Sequence, residues 1–131
     1  MGSFSNYWEN EVLDHLFGKG SYAPPTIYVG LSTADPGDDA TGLSEPSGGG
    51  YARLATSAAN WNSASGGSLD NASVVAFGEA TGDWGTVTHF ALFDAATGGH
   101  LLAHGALSQA KTVSSGDTLR FVAGDLDVSL D

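Results

Sequence analysis

The chain has 131 residues, no cysteine and a formal net charge of −11, from fifteen acidic and four basic side chains. The length suffices for one domain with its own core, whereas the lack of thiols excludes disulfide scaffolds and cysteine-based metal or redox sites. The acidic balance argues against nucleic-acid binding, which depends on Lys and Arg at phosphates, and no apolar run reaches the roughly 18 residues of a membrane span, so we expect neither partner.

The first predicted element is a short amphipathic helix within residues 1–20. Asn6 is the predicted N-cap, with Glu9 in the capping-box relation, and Gly18 is the predicted residue that ends the helix. Apolar and aromatic side chains recur along this segment at helical spacing. Those that we assign to a candidate assembly interface are Phe4, Tyr7, Trp8, Val12, Leu16 and Phe17. The helix is expected either to plug one end of a β-sandwich or to dock on a neighbouring subunit.

A strand and a long loop follow the helix. Residues 26–32 alternate apolar and polar side chains, which predicts a strand. The run from Ala34 to Gly50 consists almost entirely of turn formers, and a connection of this length is typically functional or mobile. Four acids lie in it: Asp35, Asp38, Asp39 and Glu45. Their spacing is not that of a calcium loop, so we predict no calcium site there.

The rest of the chain is predicted to be short strands separated by glycine-rich turns, and nineteen glycines fit that composition better than a helical protein. Residues 62–73 are predicted to be a loop. The remaining predicted strands cover residues 51–61, 74–77, 86–93, 100–107, 118–122 and 126–130. About seven strands and one helix indicate a mainly β fold, an antiparallel β-sandwich or jelly-roll-like arrangement in a single domain, residues 1–131.

The apolar stretch "THFALFDAATGGHLLAHGAL" predicts a hairpin whose "DAATGG" turn uses its two glycines at positive φ. Strict alternation places Val87 on the same face as Ala91 and Phe93. The return strand then places Leu101 on the same face as Ala103. Because both faces of both strands are largely apolar, the strands are predicted to be central in the sheet or covered by another subunit.

Three histidines lie in this hairpin, namely His89, His100 and His104. His100 and His104 share a face, but about 13 Å of strand separates them, which is too far for both to bind one zinc ion. No carboxylate is interleaved in the strands to complete a site. We interpret the histidines as structural and predict no metal site and no cofactor.

Catalytic motifs are equally lacking. The chain has no Gly-x-Ser-x-Gly elbow, and its "PSGGGY" glycines lack the Lys-Ser/Thr ending of a phosphate loop. Its acids lie in turns or alternate outward on strands, which does not favour a pair of carboxylates in an enclosed cleft. We therefore predict no catalytic residues and a role other than that of an enzyme.

Five segments occur in a characteristic order: "YWENEVLDHLFG", "PPTIYVGLSTADP", "SGGGYAR", "ATGDWGTVTHFALFDAATGGHLLAHGAL" and "KTVSSGDTLRFVAGDLDVSLD". Together they resemble a family of small virion structural proteins of tailed bacteriophages, of the head-decoration or tail-fibre kind. The resemblance covers nearly the whole chain and is most specific in "WGTVTHFALFDAATGG" and "SGDTLRFVAGDLDVSLD". It implies a virion component without catalytic residues, assembled in many copies in the host cytoplasm.

Two positions on the virion are compatible with that resemblance. The first expectation is a capsid decoration or cement protein, because the chain lacks the repeats of a fibre shaft; such a protein would bind the major capsid protein as a homotrimer. The alternative is a tail, tail-tip or tail-fibre module that binds a tail protein and takes part in host attachment. In that case exposed Trp61 and Trp84 would stack on a glycan, and Trp84→Ala would abolish glycan binding without unfolding the protein.

Overall fold

A computed structural model of the chain describes residues 2–130, so Met1 and Asp131 of the predicted domain lie outside the described residues. Within residues 2–130 the chain forms one α-helix, α1 (Asn6–Leu16), one 3-10 turn (Ala58–Asn60) and nine strands. The strands are β1 Gly2–Phe4, β2 Tyr28–Ser32, β3 Leu54–Ala55, β4 Ser68–Leu69, β5 Val75–Ala76, β6 Gly85–Phe93, β7 Leu101–Val113, β8 Arg120–Phe121 and β9 Val128–Ser129. The predicted mainly β fold with one short N-terminal helix is confirmed.

Seven strands form one sheet in the order β3-β2-β6-β7-β1-β9-β4, and β5 pairs with β8 separately. All pairs are antiparallel except β1 and β9, which run parallel. The expected purely antiparallel arrangement is therefore corrected at this one pair. Neither β1 nor β4 was predicted, because three and two residues are too few to show the alternation that marks a strand.

Strand β1 lies between β7 and β9, in the interior of the sheet. Gly2 pairs with Gly105 on one side and with Val128 on the other. A Cβ atom at Gly2 would lie 2.6 Å from the carbonyl oxygen of His104 and 2.7 Å from the ring of Phe90. Glycine is therefore needed at this position because the backbone approaches its neighbours too closely for a side chain.

The helix begins one residue earlier than the sequence suggests. Ser5, not Asn6, is the N-cap, and its hydroxyl oxygen accepts the backbone N–H of Trp8 at 3.3 Å. The Ser5 hydroxyl also donates to the carbonyl oxygen of Leu101, so the cap attaches the helix to β7. The prediction that Gly18 follows the helix in the left-handed conformation is confirmed by its φ of 72°.

The central hairpin contains an irregularity that breaks strict alternation. The register between β6 and β7 shifts between Val87 and His89. As a result Val87 packs in the main core with Phe90, while Ala91 and Phe93 belong to a second cluster on the other side. The predicted grouping of Val87 with Ala91 and Phe93 is wrong, because a bulge changes which face the following residues occupy.

A second register shift changes the face of the sheet on which side chains of β7 lie. It lies between Leu92 and Phe93 of the partner strand. Leu102 and Ala103 both join the main core, whereas Leu101 packs in the second cluster. The predicted grouping of Leu101 with Ala103 is therefore wrong for the same reason. The predicted burial of the hairpin is confirmed, since β6 and β7 lie at the centre of the sheet.

The sequence predicted one strand over residues 51–61, but the structure does not form a continuous strand there. The strand is limited to Leu54–Ala55, and a 3-10 turn follows at Ala58–Asn60. The backbone N–H of Ser57 donates to Oδ1 of Asn60 at 2.8 Å, so a local side-chain bond replaces the pairing of a continuing strand. Residues 62–73, predicted to be a loop, contain β4.

Candidate functional site

An apolar groove of about 770 Å³ opens on the described surface. It lies among three segments: the first half of α1 with β1, residues 22–27, and residues 56–69. Its aromatic and core-facing lining residues include Phe4, Trp8, Tyr22, Trp61, Leu92 and Val128. Among the described residues that line it, none is acidic or basic. Its volume falls within the range of known ligand sites, about 300–1,000 Å³.

The residues of the predicted assembly interface lie in different environments in the structure. Phe4, Trp8 and Val12 line the groove, and the rings of Phe4 and Trp8 lie 4.4 Å apart. Trp8 and Val12 reach the groove together because residues four apart share a helix face. Leu16 and Phe17, by contrast, are 70% and 75% exposed at the end of the helix.

The hydroxyl of Tyr22 is buried in the groove wall. Within residues 2–130 it is the one buried side-chain nitrogen or oxygen that lacks a hydrogen-bond partner. Burial raises the pKa of Tyr22, the indole N–H of Trp8 beside the hydroxyl oxygen lowers it, and the charges of Asp94 and Glu11 raise it. The hydroxyl therefore stays protonated, and it is a donor without an acceptor. Such an unpaired group costs about 1–3 kcal/mol.

The two tryptophans considered for glycan stacking differ in exposure. Trp61 is half-buried, lines the groove and donates its indole N–H to Oγ1 of Thr56 at 2.9 Å. Trp84 is only 4% exposed and donates its indole N–H to the carbonyl oxygen of Gly49 at 2.8 Å. The expectation that both rings are exposed is therefore wrong for Trp84, because the end of the long loop folds over it. Tyr51 packs edge-on against the same indole, with centroids 5.4 Å apart.

A buried ion pair, which the sequence analysis did not find, anchors the long loop. The guanidinium of Arg53 lies 3.4 Å from the ring centre of Phe93 and binds both carboxylate oxygens of Glu45, at 3.0 and 2.6 Å. It also donates to two carbonyl oxygens in the β6–β7 turn. Burial alone would raise the pKa of Glu45, but hydrogen bonds from Arg53 and Tyr51 hold it below its usual value.

Two of the three histidines are paired with carboxylates. The imidazole of His104 bonds to Asp38 through Nε2 at 2.9 Å, and its Nδ1 lies 3.7 Å from Asp35. His100 bonds to Asp94 through Nδ1 at 3.0 Å. The sequence analysis considered only carboxylates interleaved in the strands; these acids come instead from the long loop and the hairpin turn.

The carboxylates at His104 do not converge on one point, since they approach different ring nitrogens. Within residues 2–130 no group of three or more His, Cys, Asp or Glu side chains is placed to hold a metal ion. His89 bonds to the hydroxyl of Thr88 through Nδ1 at 2.8 Å.

No helix within residues 2–130 is long and apolar enough to cross a membrane.

Comparison with known families gives one result. A family model described as "Podophage GP4 fiber I protein gp80" matches residues 3–129 of the chain. The matched range covers the seven-stranded sheet except Gly2, and it includes every groove-lining residue except Leu130. No curated protein gives a significant match to the chain.

Proposed function

The chain belongs to the podophage GP4 fiber I protein gp80 family, and on this premise we propose that it is a tail-fibre module that takes part in host attachment. Family membership makes the protein a structural phage protein of the tail-fibre kind and a component of the virion. Its place on the fibre and its contribution to attachment are the proposal. The observation that carries it is the match over residues 3–129, which extends across all the strands.

Capsid decoration, the first expectation from the sequence, receives no support from this family, whose description names a fibre protein. The tail-fibre alternative fits better. The homotrimer inferred for a decoration protein loses its basis with that role. Assembly in the host cytoplasm and the lack of catalytic activity stay part of the proposal, because the resemblance that implied both is compatible with a fibre protein.

The shape of the protein suits a module attached to a larger assembly rather than a fibre shaft. Three large apolar side chains at the end of α1 face solvent: Leu13, Leu16 and Phe17 are 55%, 70% and 75% exposed. Exposed apolar side chains that adjoin an apolar groove are typical of a surface that meets another protein. The exposed side chains at the end of α1 and the apolar groove are both suited to contact with another protein, which supports the proposal.

A glycan site built from two tryptophans does not fit this structure, because Trp84 is buried beneath the long loop. Trp61 is accessible from the groove, but its indole N–H is already bonded to Thr56. We therefore place the contribution to attachment in protein–protein contacts of the fibre, not in direct sugar binding by this pair.

Copy number in purified virions tests the proposal. Quantitative mass spectrometry against the major capsid protein, together with antibody labelling in electron microscopy, should find few copies, in a ratio set by the cyclic symmetry of the tail, and label at the tail. Copies in a simple ratio to the capsid subunit, with label over the shell, would instead place the protein on the capsid. Absence from the particle would contradict a virion role altogether.

A further inference from the structure

The apolar groove has one polar feature that points to an occupant. Within the described residues nothing accepts the proton of the buried Tyr22 hydroxyl in the groove wall, because the neighbouring Trp8 indole can only donate. Buried donors are nearly always paired in native proteins. An occupant that brings an acceptor, such as a main-chain carbonyl, would satisfy this hydroxyl while its side chains cover Phe4, Trp8 and Trp61.

The charges beside the groove favour a basic occupant. Glu11 follows the groove-lining Trp8 by three positions on α1, so both lie on one side of the helix. The chain as a whole carries a net charge of −11. Basic residues are scarce, and Arg53 is already bound to Glu45. An apolar centre with acidic flanks matches a ligand with an apolar centre and basic flanks.

We propose that the groove binds an apolar peptide segment flanked by Lys or Arg, supplied by another protein of the virion. The apolar side chains of the segment fill the recess, a carbonyl accepts a hydrogen bond from the Tyr22 hydroxyl, and a flanking cation lies near Glu11. The identity of the partner as a virion protein rests on the proposed function, whereas the chemistry of the segment rests on the groove. A second copy of this chain is a poorer occupant, because each copy carries a net charge of −11 and like charges oppose association.

Two matched variants test the groove itself. Ala58 lines the groove, and the neighbouring Ala59 on the same 3-10 turn does not; both are exposed. Ala58→Trp should fill the recess, and Ala59→Trp should leave it open. Circular dichroism and thermal unfolding of both variants check that each is folded. Tyr22→Phe removes the hydroxyl without changing the shape of the ring.

The probe is a fluorescent peptide with a Leu-Pro-Phe-Leu centre and two lysines on each side, compared with a twin that has glutamates in place of the lysines. Fluorescence anisotropy with the full chain should show the lysine peptide binding about tenfold tighter than its twin, since a few exposed charge contacts contribute up to about 1 kcal/mol each. Ala58→Trp should abolish binding, Tyr22→Phe should weaken it several-fold, and Ala59→Trp should leave it unchanged.

Several results would overturn the inference. These are no binding of the lysine peptide, equal binding of both peptides, or equal binding by the Ala58→Trp and Ala59→Trp variants. Self-association in sedimentation that Ala58→Trp abolishes would assign the groove to a second copy instead. Incorporation into virions is measured separately, so a protein present in virions that binds no peptide refutes this inference alone. A protein that binds the peptide but is absent from virions refutes the proposed function alone.

Discussion

The phenol ring of Tyr7 lies parallel to the imidazole of His100, with ring centroids 3.9 Å apart and an angle of 1° between the planes. Tyr7 is in α1, and His100 directly precedes β7, so the stacked pair joins the helix to the sheet. The same imidazole bonds to Asp94 on its edge. One histidine thus fixes both the position of the helix and the conformation of the hairpin turn.

Removing that imidazole should loosen the helix. We expect His100→Ala to lower the free energy of unfolding by about 1 kcal/mol, the usual contribution of an aromatic pair, and to speed hydrogen exchange along α1. Denaturant titration and hydrogen-exchange mass spectrometry measure the two effects. Thr97→Ala, an exposed change in the same turn, should change neither; equal effects of the two variants would show that the stack does not hold the helix.

The ion pair beneath the long loop should be sensitive to loss of its negative charge. Glu45→Gln leaves the guanidinium of Arg53, whose side chain is 6% exposed, without a counter-ion. We expect a loss of about 3 kcal/mol, the lower end of the range for breaking a buried pair, because Glu45 is itself 21% exposed. Chemical denaturation provides the measurement. Glu79→Gln is the exposed control, and a similar loss in both variants would contradict the assignment.

Stability should fall in acid. Burial alone would raise the pKa of Asp94 and of Glu45, but hydrogen bonds, to His100 in one case and to Arg53 and Tyr51 in the other, lower both below the ordinary values of 3.8 and 4.5. The unfolded chain therefore binds more protons than the native protein in this range. The stabilisation is present above these ordinary values and is lost as the pH falls through the lower native ones.

Thermal unfolding between pH 6 and 3, an interval of about three units around ordinary carboxyl pKa values, measures this dependence. The wild-type protein should lose stability steadily as the pH falls below the ordinary pKa values of Asp and Glu carboxyl groups. Asp94→Asn should be less stable at neutral pH and should show a shallower decline in acid. A decline as steep as that of the wild type would mean that the Asp94 pair contributes nothing to acid sensitivity.

Two glycine substitutions should have opposite outcomes. A Cβ atom at Gly30 would lie 2.9 Å from both the Phe93 ring and the Tyr51 hydroxyl oxygen. Both rings are held by the Arg53 network, so Gly30→Ala should cost about 1–3 kcal/mol through overpacking. Gly78→Ala meets no atom within 4 Å and should be neutral or slightly stabilising. Comparable melting temperatures of the two variants would contradict the close packing at Gly30.

Replacing each of the two tryptophans should destabilise the protein by different amounts. Trp84→Ala removes a buried indole and its bond to Gly49, so we expect a loss of about 3–5 kcal/mol. Trp61→Ala removes a half-buried ring at the groove and should cost less. Fluorescence-detected denaturation compares them. A stable, folded Trp84→Ala protein would restore the view of Trp84 as a surface residue.

The elements that could be predicted from the sequence are those with long local patterns. The helix and the β6–β7 hairpin each carry enough periodic residues to be recognised, and the turn glycines Gly98 and Gly99 do have positive φ. The bulges could not be seen, since an extra residue in one strand leaves no mark on composition. They separated Val87 from Ala91, and Leu101 from Ala103, without changing the burial of the hairpin.

The candidate site was largely hidden because its contacts are remote in sequence. His104 meets Asp38 across 66 positions, and the indole of Trp84 meets Gly49 across 35. The groove combines α1, the proline-containing segment 22–27 and the segment around Trp61. The aromatic residues of the helix were recognised as an interface candidate, but nothing local indicated that Tyr22 and Trp61 would face them.

The interior position of β1 determines when this protein can finish folding. Gly2 pairs with Gly105 and Val128, so β1 cannot complete its pairing until residues much later in the chain have been synthesised. Until then β7 and β9 have unpaired edges, which invite pairing with other chains. Long-range pairing of this kind also folds slowly. Folding yield should therefore depend on how well these edges are protected from other chains, for example by chaperones.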